Sequence, residues 1–233
     1  MHGPIPLAGP YGYHRGMTLA RDERLALCAL LEQTGPSAPT LCDGWTTLDL
    51  AAHLVLRERR PDAGTGIMIG PLAGYTRRVQ RGLAERESFD GLIGAIRNGP
   101  PRMSPFRLPG VDERANLVEF FVHHEDIRRG RPGWAERKVT PELSEALWGR
   151  LGMARFVLRK APVGVELVRD DITTDPGQSR VRITAKARTP VVTVTGAPGE
   201  LALWTAGRRD AAQVRLDGTE AAVRTLKGAR WGL

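Results

Sequence analysis

Cysteine is scarce in this chain, which has two in 233 residues, Cys28 and Cys42, and no CxxC pair. This scarcity excludes a disulfide framework and favours a reducing, cytoplasmic setting. We expect both thiols to be buried and to behave as small hydrophobic side chains, with a role in metal binding as the alternative. Long apolar runs are also missing: no stretch approaches the roughly 20 residues that span a bilayer, and the N-terminus lacks a signal-peptide apolar region. We therefore expect a protein that is neither anchored in a membrane nor exported.

Positive charge, by contrast, is in excess. The 34 Lys and Arg residues outnumber the 26 Asp and Glu residues, for a formal charge of +8 and a pI near 10.3. Such a charge would suit an acidic partner, but the basic residues are mostly arginines scattered along the chain, which favours a solvated surface over a nucleic-acid footprint. The content of 41% hydrophobic and 26% charged residues is typical of a globular protein.

The chain divides into three parts by composition. Residues 1–17 are rich in Gly and Pro, lack periodicity and end at a second methionine, so they read as a disordered tail or an over-long start. Residues 18–161 carry helix signals and predict a helical bundle with one long crossover loop. Residues 162–233 mix alternating β-branched segments with two helical ones, so we predict a small α/β domain and an α+β fold overall. In the first part of the fold we predict helices from Thr18 to Gly35, from Thr46 or Thr47, over about 69–85, within 88–99, over about 111–129 and over Pro141–Lys160.

The segment NLVEFFVHHED, residues 116–126, has a narrow polar wedge on an otherwise apolar helix. On a helical wheel His123 and Asp126 fall within roughly 60° of Glu119, whereas His124 lies about 140° away. A helix that is apolar on most sides is buried, and buried ionisable groups need partners. His123 is therefore the candidate functional histidine, and His124 is expected to contribute only to packing.

A second wedge lies on the helix that begins near Thr46. Asp49 and Arg57 fall within about 40° of His53 on the wheel, and apolar residues cover the rest. If the two wedges face each other, His53 converges with Glu119 and His123. Two imidazoles and one carboxylate are a typical ligand set for a catalytic divalent metal. The structural alternative is a set of satisfied core histidines with a buried ion pair between Glu119 and Arg57.

These two motifs together carry a family resemblance. WTTLDLAAHL, followed far downstream by EFFVHHED, resembles the metal-binding bundle of the DinB-like superfamily, specifically its mycothiol-dependent maleylpyruvate isomerase branch. GAPGELALWTAGR is similar to the helix of the small, sterol-carrier-like α/β domain that follows the bundle in that family. The resemblance covers roughly residues 18–218. The positions that match the family pattern in the bundle are Trp45, Asp49, Leu50, His53, Glu119, His123 and Asp126.

The resemblance implies a zinc-like ion on His53, Glu119 and His123 that binds the thiol of a small cofactor such as mycothiol. Asp126 and Asp49 would orient the ligands from outside the metal's coordination shell. Arg57 and Arg208 are the expected catalytic residues: Arg57 would bind a substrate carboxylate or form a salt bridge to Asp49 or Glu119, and Arg208 matches a family arginine that faces the site. Family enzymes also use an arginine on the following helix, for which Arg77 and Arg78 remain open.

The segments between the motifs look like an actinobacterial subgroup of metal-binding proteins rather than the isomerase itself, so maleylpyruvate does not carry over as the substrate. We expect a thiol-dependent isomerase or S-transferase that acts on a small electrophile. The alternatives are a non-catalytic metal-binding or sensor protein and a DNA-binding regulator. The regulator is the least favoured, because no recognition helix with exposed Arg, Asn and Gln is evident.

Overall fold

The fold is known from a computed structural model, which describes residues 18–59, 73–101, 111–172 and 181–229. The tail predicted over residues 1–17 lies outside the described residues. So do residues 69–72 of the third predicted helix and most of the predicted crossover loop.

The N-terminal region is helical, as expected. Thr18 caps the first helix through its hydroxyl, which accepts a hydrogen bond from Arg21 N at 3.3 Å, and Gly35 ends it at a φ of 74°. Ser88 caps the fourth helix in the same way. The helices are α1 (Leu19–Thr34), α2 (Thr47–Arg59), α3 (Ala73–Arg86), α4 (Phe89–Asn98) and α5 (Val111–Arg128).

The prediction of one long helix over Pro141–Lys160 is wrong. Helix α6 spans Pro141–Arg150 and is followed by a 3₁₀ turn (Leu151–Met153), the short α7 (Ala154–Val157) and a second 3₁₀ turn (Leu158–Lys160). Gly152 weakens helix propensity at the break. The broken path also buries Leu151, Ala154 and Leu158, whereas Met153 and Phe156 stay exposed.

The C-terminal region forms a four-stranded sheet with two helices. The strands lie in the order β2-β1-β3-β4, with β1 parallel to β3 and the other pairs antiparallel. Alternate residues such as Val165, Leu167, Val192 and Val194 are fully buried, which is the period-2 pattern of a sheet with one face in the core. The elements are β1 (Gly164–Arg169), β2 (Arg182–Lys186), β3 (Val191–Gly196), α8 (Pro198–Thr205), β4 (Arg215–Asp217) and α9 (Glu220–Gly228).

Helix α5 lies between two hydrophobic clusters. Phe120 and Ile127 pack into a cluster with α1, α2 and α4. Leu117 and Phe121 pack into a second cluster that also contains the sheet, α6 and α8. This double burial explains why α5 is apolar on most sides. The α+β class is confirmed, whereas the division of the chain near residue 162 stays a prediction, and the second cluster contains residues from both sides of it.

No helix among the described residues combines the length and the hydropathy required to cross a membrane.

Candidate metal centre

The structure brings His53 of α2 together with Glu119 and His123 of α5. Glu119 Oε1 lies 3.3 Å from His53 Nε2 and 3.2 Å from His123 Nε2. One ligand atom from each of the three residues lies within 4.8 Å of the other two. Both imidazoles are buried, with side chains 8% exposed, whereas the Glu119 side chain is 26% exposed. The group, here called the metal triad, therefore reaches solvent at its carboxylate edge.

The spacing of the metal triad fits a small divalent cation. Two ligands at zinc's usual distances of about 2.0–2.2 Å and at a tetrahedral angle are about 3.3–3.5 Å apart. The two nitrogen–oxygen distances in the triad, 3.2 and 3.3 Å, are close to this separation between two zinc ligands. The two rings meet edge to face, with centroids 5.2 Å apart, and Trp45 packs against His53 at 5.0 Å. Two of the three ligand separations thus suit one small divalent cation, and the three residues could hold one.

Burial and hydrogen bonding shift the pKa values of the triad in different directions. Burial lowers the pKa of His53, which favours the neutral imidazole that ligates metals. Burial alone would raise the pKa of Glu119, but hydrogen bonds from His123 and His53 and the charge of Arg57 hold it well below its usual range. Burial alone would lower the pKa of His123, but hydrogen bonds to Asp126, Cys42 and Glu119 raise it well above 6.5. A cation that binds here would therefore displace a proton from His123.

Asp126 supports His123 from behind. Its Oδ2 lies 2.8 Å from His123 Nδ1, and its side chain is fully buried. Arg208 donates to both carboxylate oxygens of Asp126, at 2.8 and 2.7 Å. The pKa of Asp126 is about 2: burial opposes the shift, and hydrogen bonds from His123 and Arg208 outweigh it. A continuous chain of contacts thus runs from Arg208, on the turn after α8, through Asp126 to the metal triad.

Cys42 lies beside this chain of contacts. The sequence did not predict this position, because both cysteines were expected to behave as small hydrophobic side chains. Its Sγ is 3.2 Å from Asp126 Oδ2 and 3.3 Å from Arg208 Nη2. Cys28 does match the expectation, because it is buried and burial raises the pKa of its thiol to about 11. Cys42 sits in the loop between α1 and α2, where helical periodicity has no meaning. Backbone contacts fix that loop, since Leu41 N donates to Asp126 O at 3.0 Å.

Cys42, His123 and Asp126 form a second group of potential metal ligands. The Arg208 guanidinium already holds both oxygens of Asp126. A cation bound to the carboxylate would face that positive charge at close range. The metal triad is therefore the better cation site of the two.

Arg57 reaches the edge of the metal triad. Its Nε lies 3.4 Å from Glu119 Oε1, and its Nη1 donates to Asn116 Oδ1. The side chain is 18% exposed. The ion pair with Glu119, which was one of the predicted roles of Arg57, is thus present. The binding of a substrate carboxylate by Arg57 stays a prediction.

Other predicted site residues lie elsewhere. The Asp49 carboxylate accepts hydrogen bonds from Thr46 N at 2.9 Å and from Thr46 Oγ1 at 2.7 Å. Among the described residues, these hydrogen bonds connect Asp49 to the start of α2 and not to a ligand of the metal triad. Its position three residues into the helix explains this, because a carboxylate there satisfies free N–H groups. Arg77 and Arg78 are both exposed on α3.

His124 faces away from the triad into a charged cluster. Its Nδ1 accepts from Arg137 Nη1 at 2.9 Å and lies 3.4 Å from Glu23 Oε2. Next to it the fully buried Glu125 binds Arg128 and Arg129. We call these residues, Glu23, His124, Glu125, Arg128, Arg129 and Arg137, the arginine cluster.

Comparison with known proteins gives a family match for the N-terminal region of the chain. Residues 17–102 match the family model described as the mycothiol maleylpyruvate isomerase N-terminal domain. The match includes Trp45 and His53 and ends before Glu119 and His123. It confirms the family resemblance for the part of the chain that carries the WTTLDLAAHL motif. No curated protein and no solved structure matches the chain.

Proposed function

Because residues 17–102 match the model of the mycothiol maleylpyruvate isomerase N-terminal domain family, we propose that the protein is a divalent-metal-dependent enzyme of the thiol-dependent isomerase or S-transferase type. His53, Glu119 and His123 bind one ion, with zinc the best fit to two nitrogen donors and one carboxylate. The thiol is a low-molecular-weight one such as mycothiol, and the second substrate is a small electrophile.

The observation that carries this proposal is the convergence of three ligand atoms from two helices. All three lie within 4.8 Å of one another, at distances that suit a single ion. Three protein ligands leave one or more positions for an incoming molecule, which distinguishes catalytic from structural zinc sites. The exposed edge of Glu119 gives that molecule an approach.

A cation at this site, when bound, lowers the pKa of a thiol that reaches it and keeps the nucleophilic thiolate at neutral pH. The residues of the chain do the rest. Asp126 accepts the Nδ1 hydrogen of His123, which leaves the Nε2 lone pair directed at the triad. Arg208 keeps Asp126 ionised through its two hydrogen bonds. Arg57 binds a carboxylate of the electrophile and orients it beside Glu119.

The family match also supports a finer description of the fold and setting. We propose a DinB-like four-helix bundle over residues 18–161 and a sterol-carrier-like domain over residues 162–233. The two free cysteines support a reducing, cytoplasmic setting. Maleylpyruvate itself is not proposed as the substrate, because the segments between the motifs depart from the isomerase.

The test is mycothiol binding by protein whose metal is defined. Protein purified without added metal is analysed for zinc and then loaded with Co²⁺, whose visible spectrum reports a sulfur ligand as an intense charge-transfer band. We expect that band when mycothiol is added, and its loss in His53→Ala, which lacks a ligand. Metal binding without any response to mycothiol contradicts the enzyme proposal and favours the non-catalytic metal-binding alternative. DNA binding that weakens with salt, in protein that takes up no metal, favours the regulator.

A further inference from the structure

Asn116 is a fully buried amide one helical turn before Glu119. Its Oδ1 accepts a hydrogen bond from Arg57 Nη1, and its Nδ2 donates to Glu58 Oε1 at 3.2 Å. Arginine has only donors and a carboxylate only acceptors, so the amide can satisfy both neighbours in one orientation only. Asn116 is therefore held in a defined orientation between Arg57 and Glu58.

An ion pair fixes the far end of this arrangement. Glu58 accepts two hydrogen bonds from Arg24, at 2.7 and 2.6 Å, and both side chains are almost completely buried. Arg24 also donates to Ile96 O at 2.9 Å and stacks over the Phe120 ring at 4.4 Å. These contacts tie Asn116 to α1, α4 and the hydrophobic cluster around α2, so little freedom remains for the amide.

Arg57 is the end of the same chain of contacts that lies nearest the metal triad. Its side chain reaches the partly exposed edge of the metal triad, where Nε lies 3.4 Å from Glu119 Oε1. A free arginine loses considerable rotamer entropy when it is ordered around a ligand. An arginine already ordered by a buried amide avoids most of that loss, so it binds an anion more tightly.

We propose that Asn116 is a positioning residue that holds Arg57 against the metal triad, and that Arg57 in this position receives the carboxylate of an anionic electrophile. The inference rests on the proposed function, since it places the carboxylate beside the metal. The carboxylate on Arg57 belongs to the proposed function; the new element is Asn116, a residue that acts only through Arg57. If Asn116 served stability alone, its loss would leave anion affinity unchanged in the folded protein.

A double-mutant cycle on Co²⁺-loaded protein tests this, with benzoate as the anionic probe and the visible spectrum or calorimetry as the readout. We expect Arg57→Ala to weaken benzoate binding about ten- to a hundredfold, which is the usual effect of losing a charged hydrogen-bonding partner. Asn116→Ala should weaken it up to about tenfold, because the arginine regains its rotamer freedom. The double variant should bind no more weakly than Arg57→Ala, since Asn116 acts through the arginine.

Two further variants serve as a stability control and as a replacement for Asn116→Ala. Ser144→Ala removes another hydrogen bond of a buried side chain, from Ser144 to the exposed Asp171, and should lower thermal stability without changing benzoate affinity. If Asn116→Ala does not fold, Asn116→Ser keeps a small polar group at the position and enters the cycle instead.

The outcomes separate the two claims. Additive losses in the cycle, an unchanged affinity in Asn116→Ala, or no benzoate binding by the Co²⁺-loaded wild type overturn the inference while leaving the metal site intact. A wild type that takes up no Co²⁺ overturns the proposed function and the inference with it.

Discussion

The two faces of α5 carry adjacent histidines in opposite chemical surroundings. His123 meets carboxylates and a second imidazole at a partly exposed edge, whereas His124 meets Arg137 and belongs to the arginine cluster. Both rings are buried to the same degree, so burial does not distinguish them. The partners of the ring nitrogens do. Nε2 of His123 lies 3.2 Å from Glu119 Oε1 in a group that also contains His53, whereas Nδ1 of His124 accepts a hydrogen bond from Arg137, which also binds the neighbouring Glu23. We therefore expect a cation on the His123 face.

The largest expected effect separates the two histidines directly. His123→Ala should remove bound zinc almost completely, because two ligands rarely suffice for a tight site. His124→Ala should keep the wild-type zinc content and lose stability by about 1–3 kcal/mol through lost packing and hydrogen bonding. Elemental analysis and chemical unfolding measure the two effects. Equal zinc content in both variants would mean that the two faces are not different in the way described.

The next comparison uses the neighbouring acids, Asp126 and Glu125. Asp126→Asn should weaken zinc about ten- to a hundredfold, since it removes the carboxylate that orients His123. Glu125→Gln should leave zinc affinity unchanged but destabilise the fold by about 3 kcal/mol, because its buried arginine partners lose their counter-charge. Competition with a zinc chelator reports the first effect and denaturant unfolding the second. An exchange of the two phenotypes would contradict the assignment.

The two faces should also differ in their dependence on pH. The pKa of His123 is raised by hydrogen bonds to carboxylates, so zinc must displace its proton and its affinity should fall about tenfold per pH unit below that pKa. Because the pKa of His123 is raised in the folded state, protonation of His123 stabilises the metal-free protein at low pH. This stabilisation is lost as pH rises through the folded-state pKa. Calorimetry in buffers of different ionisation enthalpy should detect release of about one proton per zinc. Zinc binding without proton release would show that His123 is already neutral.

The smallest expected effect concerns the two cysteines. Cys28 is fully buried and burial raises the pKa of its thiol to about 11, so it should resist alkylation in the native protein. Cys42 is only half-buried and should react faster with iodoacetamide. Peptide mass mapping after timed labelling ranks the two, with Cys42→Ser as the control. Faster labelling of Cys28 would mean that the native fold opens around α1.

Periodicity explains which parts of the site were accessible to sequence reasoning. His53, Glu119 and His123 lie on long, regular helices, so a wheel places them on one face of each. Cys42 and Arg208 lie on loops, where periodicity gives no position, and tertiary contacts with Asp126 bring them to the site. Arg208 was expected from the family resemblance alone, whereas Cys42 was missed. Asn116 lies in the segment that was placed on the wheel, but its contact with Arg57 depends on how α2 packs against α5.

The fold follows the same division. The helix that begins at Thr18 and the alternating strands were predicted from local signals, whereas the broken path after α6 depends on burial against other elements. The wheel placed Asp49 within about 40° of His53, but its carboxylate binds Thr46, because its position near the helix start offers closer donors.

Zinc K-edge X-ray absorption of the zinc-loaded protein in the absence of thiols tests the central claim most directly. We predict light-atom ligands only, nitrogen and oxygen at about 2.0–2.1 Å, from His53, Glu119 and His123. A sulfur neighbour at about 2.3 Å would place the ion on Cys42 instead. That result, or a protein that binds no zinc at all, would contradict the account.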